Sequence, residues 1–325
     1  MDNDQTTDST WMSDPDIIGD NGERVSHLHN DHVYYGHLSI YHFALQYCMG
    51  GQVLDAGSGA GYGADYLADN GAEFVLGIDL NEKAIEFSKF YFPRPNLDFR
   101  RMGVEEISGL LSQRFDLIFT SNTLEHVPNV KDFLRGSWYL LKPKGVLLVA
   151  VPPITDDRLL YLNLINQYHV NVWSPRQWQF ALSKYYQDVT PFLHGVGAIG
   201  RDFTPEFLGS NTKVTERSFV FSPGTVEDMY TMFTLTAIFL VRNPLPERNL
   251  PPVDSPMEFV DESFTRPPGF IDPRLRKKLS VYFEHPNTSH SYFAKAMEVL
   301  KDQGFVSFLY RIVVYILRRI GFIAS

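Results

Sequence analysis

The chain's 325 residues are 44% hydrophobic and 14% aromatic, enough to fill one large domain or one domain with a smaller appendage. Its 38 acids outnumber 29 lysines and arginines for a net charge of −9, and the first 240 residues hold no basic run, which argues against a nucleic-acid partner because phosphate contacts need clustered positive charge. A single cysteine, Cys48, excludes an intramolecular disulfide and a zinc site built on cysteine pairs, and fits a reducing cytoplasm.

Residues 1–22 have the composition of a disordered acidic tail, with neither signal peptide nor anchor. Apolar residues at helical spacing around Leu38, Tyr41, Phe43, Ala44 and Tyr47 predict a helix over 35–48. The five histidines His27, His29, His32, His37 and His42 come without an accompanying ligand pattern, so no metal site is expected there.

The stretch QVLDAGSGAGYGA, residues 52–64, is the one around which the chain is organised. Val53 and Leu54 read as a short buried strand with Asp55 at its carboxyl end, and Gly57, Gly59 and Gly61 turn into a helix near Tyr62. Glycines there permit positive φ and close approach of the backbone to a ligand. The next strand, 73–78, ends in Asp79, placed to accept hydrogen bonds from ribose hydroxyls, so a cofactor carrying adenosine is expected. Asp55 would repel a pyrophosphate but suit an ammonium group, which disfavours a dinucleotide. Further strands are predicted at 96–100, 115–119 and 146–151, with a helix over 129–141 closed by LKPKG.

VLDAGSGAGYG, GIDLNEKAIEFSK, FDLIFTSNTLEHV and LKPKGVLLVAVPP, in that order and spacing, resemble the motifs of the class I S-adenosylmethionine-dependent methyltransferases. The resemblance spans residues 30–243 and implies an α/β fold: a Rossmann-like, doubly wound, seven-stranded sheet whose last strand, in the apolar run 230–241, is antiparallel. It implies S-adenosylmethionine as cofactor, with Asp55, Ala56, Gly57, Ser58, Gly59 and Gly61 at the methionine end, Asp79 and Leu80 at the ribose, and Gly103 and Val104 bordering adenine. Ser121 and Asn122 then flank the reacting centre. Gly103 stands where the family usually has an acid. Ile40-Tyr41 stands where relatives among surface-polysaccharide enzymes carry arginine-tyrosine, so the partner of the methionine carboxylate stays open. The Asn-Pro-Pro-aromatic run of adenine N-methylating relatives is absent, Thr120 to Thr123 taking its place.

His126 and His169 are alternative general bases for deprotonating an acceptor hydroxyl, since an imidazole titrates near neutrality; a structural role for His126 is the alternative. Ser174-Pro175 predicts an N-cap and first turn for a helix over 176–184. The surrounding asparagine, aromatic and histidine stretch, 166–189, resembles methyltransferases linked to O-antigen and glycan assembly. Trp173, Arg176 and Trp178 would then meet a sugar, or both tryptophans fill the core of a covering helix.

The expected organisation is a tail (1–22), a methyltransferase domain (23–243) with a substrate or lid insertion (154–228), a proline-rich linker (244–289) and a helical C-terminal extension (290–325). The arginine-bearing apolar run 305–323 suits a peripheral helix on the inner membrane surface, a docking helix for a partner, or packing on the enzyme itself. The function expected is methyl transfer to an oxygen of a glycan intermediate by a cytoplasmic enzyme. The alternatives are a lipid or quinone acceptor at a membrane surface, and a non-catalytic cofactor-binding scaffold.

Overall fold

The computed structural model describes residues 25–257, apart from 29–30, 111–113, 165, 167, 201–213, 254 and 256. The expected tail, most of the linker and the 290–325 extension, with 305–323, lie outside the described residues.

Eight strands form one sheet: β1 Gln52–Ala56, β2 Phe74–Asp79, β3 Leu97–Arg101, β4 Phe115–Ser121, β5 Leu141–Val151, β6 Tyr186–Val196, β7 Phe219–Pro223 and β8 Ala237–Pro244, in the order β3-β2-β1-β4-β5-β8-β6-β7. The first five are parallel, and β8 runs antiparallel to both β5 and β6. The expected antiparallel last strand is therefore present, but the count is eight. The additional strand, β7, pairs antiparallel with β6 and covers its outer edge. β8 begins at Ala237 because a short helix, Val226–Thr231, fills the first part of the apolar run, its N-cap Thr225 accepting from Asp228 N. β6 falls inside the stretch expected as a substrate or lid insertion.

The helices are α1 His32–Ala44, α2 Tyr62–Asp69, α3 Glu82–Tyr91, α4 Val130–Leu140, α5 Asp157–Leu164, α6 Pro175–Ser183 and α7 Val226–Thr231. α1 starts three residues before the expected boundary because the Asp31 carboxylate accepts from Val33 N and Tyr34 N, both at 2.9 Å. α6 starts where Ser174-Pro175 predicts, with a reciprocal capping box between Ser174 and Gln177.

Both faces of the parallel strands are covered, so they read as continuous apolar runs. Leu54, Leu76, Ile118, Leu147 and Val149 share one core with Phe133, Leu134 and Trp178. Val53, Val75, Leu117, Phe119 and Leu148 share the other with Leu38, Tyr41 and Ala44 of α1, Leu67 of α2 and Phe87 of α3. The strand order reverses between β1 and β4, and a crevice at the carboxyl ends of such strands is the binding position of an open α/β sheet.

Candidate functional site

Gly57, Gly59 and Gly61 follow β1 with φ of +88°, +53° and +80°, a region L side chains rarely occupy. A Cβ at Gly57 would overlap Thr123, and one at Gly61 would overlap Ser88, whereas Gly59 faces open space. The turn is pinned to the second strand: Gly57 N and Ser58 N donate to Ile78 O at 2.9 and 2.8 Å. Asp79 joins both strand tips, accepting from Gly59 N at 3.1 Å and Asn81 N at 2.8 Å. Ser58 Oγ is buried with no hydrogen-bond partner among the described residues, a polar atom left for a ligand.

Asp55 has no solvent exposure. Burial pushes its carboxyl up to about 8; the Tyr41 hydroxyl, donating to it at 3.3 to 3.4 Å, opposes that rise, and Asp79 adds to it. Tyr41 comes from α1. Its ring packs on Phe119 at 4.2 Å and Tyr62 at 5.9 Å, and Tyr62 meets Tyr34 at 5.0 Å. On the other flank Phe43 stacks on Phe221 of β7 at 4.5 Å. The additional strand thus helps to seat α1 over the crevice.

One turn before Tyr41, on the same helix face, His37 Nδ1 lies 3.4 Å from Asn122 Nδ2. Asn122 has φ of +48°, and its N–H donates to Ala150 O at 2.8 Å, fixing it between β4 and β5 beside Ser121. Burial lowers His37 to about 4, against the pull of Asp31, so it is neutral at physiological pH. His37 is the crevice residue that sequence reasoning passed over. Its i−4 spacing from Tyr41 was the available signal.

The remaining expected cofactor residues fall at the same end of the sheet. Ala56 is buried, and Leu80 is 66% exposed just past β2. Gly103 N donates to Glu106 Oε2 at 2.9 Å, and the Val104 side chain belongs to the core, leaving its backbone to border a ligand.

His126 and His169, 43 positions apart in sequence, are brought together with ring centroids 4.8 Å apart. His126 Nδ1 donates to Tyr168 O at 3.1 Å, and His169 Nδ1 pairs with Asn163 Oδ1 at 2.8 Å. The Glu125 carbonyl accepts from Val170 N and Asn171 N, and Asn171 Nδ2 donates to Leu124 O and Val127 O, so residues 124–127 and 168–171 are knitted into one unit. Burial first, and His126 second, lower His169 to about 4.

Of the two readings open for Trp173 and Trp178, sugar-facing or core, the structure takes the core one. Trp173 and Trp178 are 6% and 1% exposed, packed on each other at 4.4 Å within the core cluster that also holds Phe133 and Leu134. Arg176 lies on the surface, paired with Glu227 and over the Tyr230 ring at 4.1 Å. Trp178→Ala is therefore expected to lower stability by about 3–5 kcal/mol while leaving the cofactor affinity of the folded protein unchanged, read by thermal unfolding and calorimetry.

Residues 54–149 match the family model described as a methyltransferase domain. Over those residues the chain is similar to a methyltransferase domain. A probable S-adenosylmethionine-dependent methyltransferase of Mycolicibacterium smegmatis is 33% identical over 116 residues, 36% of this chain and 44% of that protein. A ubiquinone biosynthesis O-methyltransferase of Bradyrhizobium diazoefficiens is 33% identical over 132 residues, 40% of this chain and 51% of that one. The chain thus spans about half the length of the curated relatives it matches. A crystal structure of an S-adenosylmethionine-dependent methyltransferase from Archaeoglobus fulgidus covers 65% of this chain and 93% of its own, at 18% identity and a TM-score of 0.47. The cradle has groups that would suit S-adenosylmethionine: Asp55 is a buried acid that an ammonium could meet, Ser58 Oγ is an orphaned hydroxyl in the glycine turn, and Asp79 is a second acid at the tip of β2. Among the described residues no helix is long and apolar enough to cross a membrane.

Proposed function

We propose that the protein transfers a methyl group from S-adenosylmethionine to an oxygen atom of a small hydroxylated acceptor. The observation that carries this reading is the placement of Asp55 and Asp79 on either side of the glycine turn, with His37, Ser121 and Asn122 gathered at the tip of β4. Bound S-adenosylmethionine supplies an electrophilic methyl on a sulfonium. Asp55 and Tyr41 hold the amino acid end, Asp79 takes ribose hydroxyls, and backbone around Gly103 and Val104 borders adenine. The neutral His37 imidazole and the Asn122 amide then orient the acceptor oxygen for in-line attack, which is the protein's main contribution because the leaving thioether is already activated.

The acceptor we favour is a hydroxyl on an aromatic quinone precursor. Support comes from the relatives named for ubiquinone biosynthesis and from the burial of Trp173 and Trp178, which removes the aromatic faces on which a glycan acceptor rested. Such an acceptor is apolar, in keeping with an enzyme working beside the inner membrane surface. The test is release of S-adenosylhomocysteine by the full chain with a dihydroxylated prenyl-aromatic ring or with sugar nucleotides. Turnover with the aromatic acceptor alone is expected. Turnover with sugars alone would restore the glycan reading, and cofactor binding without release on either would favour a scaffold.

A further inference from the structure

We propose that Glu125, His126 and His169 form a binding site for a divalent transition-metal ion, taking it through the Glu125 carboxylate and the Nε2 atoms of both imidazoles. One potential ligand atom from each residue lies within 4.8 Å of those of the other two. That is wider than the roughly 3 Å edge of a shell with 2.0–2.2 Å bonds, so binding an ion would draw the three groups together. Two imidazoles and one carboxylate form a donor set that suits zinc, cobalt(II) or iron(II) and leaves positions open for an exogenous oxygen.

The groups behind the ligands carry the argument further. Tyr168 O can only accept, so His126 holds its proton on Nδ1 and has its lone pair on Nε2. The Asn163 amide is oriented by its own Nδ2, which donates to Leu159 O at 2.8 Å, so its Oδ1 faces His169 and fixes the same tautomer there. A ligating histidine held from behind through Nδ1 by a carbonyl is the usual support of a protein metal site. Glu125 is 2% exposed, where solvent weakens attraction to a cation little. The backbone bonds from Val170 and Asn171 to Glu125 O hold the two ligand-bearing segments in register without the ion.

The site stands whether or not the methyl-transfer reading is right; where that reading holds, a bound ion three residues beyond Asn122 would acidify an acceptor hydroxyl. The two candidate bases would then be ligands. The experiment uses untagged full-length protein stripped with a chelator and titrated with cobalt(II), followed by absorption spectroscopy and calorimetry, with zinc as competitor. One ion per chain is expected, displaced by zinc. His169→Ala and Glu125→Gln should each weaken it at least tenfold, and Asn163→Leu, which touches no ion, about tenfold or more. Circular dichroism and heat on adding S-adenosylhomocysteine establish that each variant is folded. Absence of binding below millimolar cobalt, or binding untouched by His126→Ala and His169→Ala, would overturn the site. Loss of the S-adenosylhomocysteine heat in wild type would instead sink the cofactor reading alone.

Discussion

Asp55→Asn should reduce the affinity for S-adenosylmethionine by about 10- to 100-fold, the worth of a charge-assisted hydrogen bond of about 1.5–3 kcal/mol, while leaving the fold at least as stable. Both halves follow from one fact. Burial raises the Asp55 carboxyl from its ordinary 3.8 to about 8, so the unliganded protein holds a proton there at neutral pH. In the unfolded chain that proton leaves near 3.8. The native state therefore binds more protons, and the stability associated with Asp55 is full below pH 4 and declines as pH rises towards 8. Asparagine removes this decline, so the variant should gain on wild type in thermal unfolding at pH 8 and not at pH 4. An incoming ammonium reverses the preference by favouring the carboxylate, so cofactor binding should release up to one proton near pH 7 and tighten between pH 6 and 8. Calorimetry in two buffers of different ionisation enthalpy reads that proton, and it should vanish in Asp55→Asn. Equal affinity in variant and wild type would remove Asp55 from the site.

The parts of this site legible in sequence are those set by short-range geometry. A strand, an acid, three glycines and a helix within thirteen residues can satisfy their backbone in few ways, and Asp55, Asp79 and the glycine turn stand as that spacing requires. What joins distant segments was not legible. His37 meets Asn122 across 85 positions and Tyr41 meets Asp55 only because of how α1 lies on the sheet, which β7 and the tyrosines of α2 decide. His126 and His169 were each recognisable by residue type, but their contact depends on the loop staples at Asn171. Trp173 and Trp178 could be read as sugar-facing or as core for a related reason: residue type states what a side chain can stack on, and packing alone decides which way it faces, here into the core. β6 escaped because Gln187, Asp188 and Pro191 break the apolar alternation of a strand that is exposed along its first half.

Gly63→Ala should also be strongly harmful, although propensity points the other way. Gly63 lies in the first turn of α2 without a positive φ, where alanine normally stabilises a helix by about 1 kcal/mol. Here a Cβ would run into the ring of Tyr41, which is wedged between Gly63 and Phe119. The ring can move only by leaving Asp55 and lifting α1, so one methyl group should cost about 1–3 kcal/mol, as overpacking does, and weaken cofactor binding with it. Residue type and backbone strain are separated by a double-mutant cycle. With Tyr41→Ala in place the obstruction is gone, and adding Gly63→Ala should become neutral or stabilising, giving a coupling of the same order as the single-variant loss. Thermal unfolding of the four proteins measures it. If Gly63→Ala stabilises the wild-type background, the close seat of α1 on α2 is wrong, and with it the route by which Tyr41 reaches Asp55.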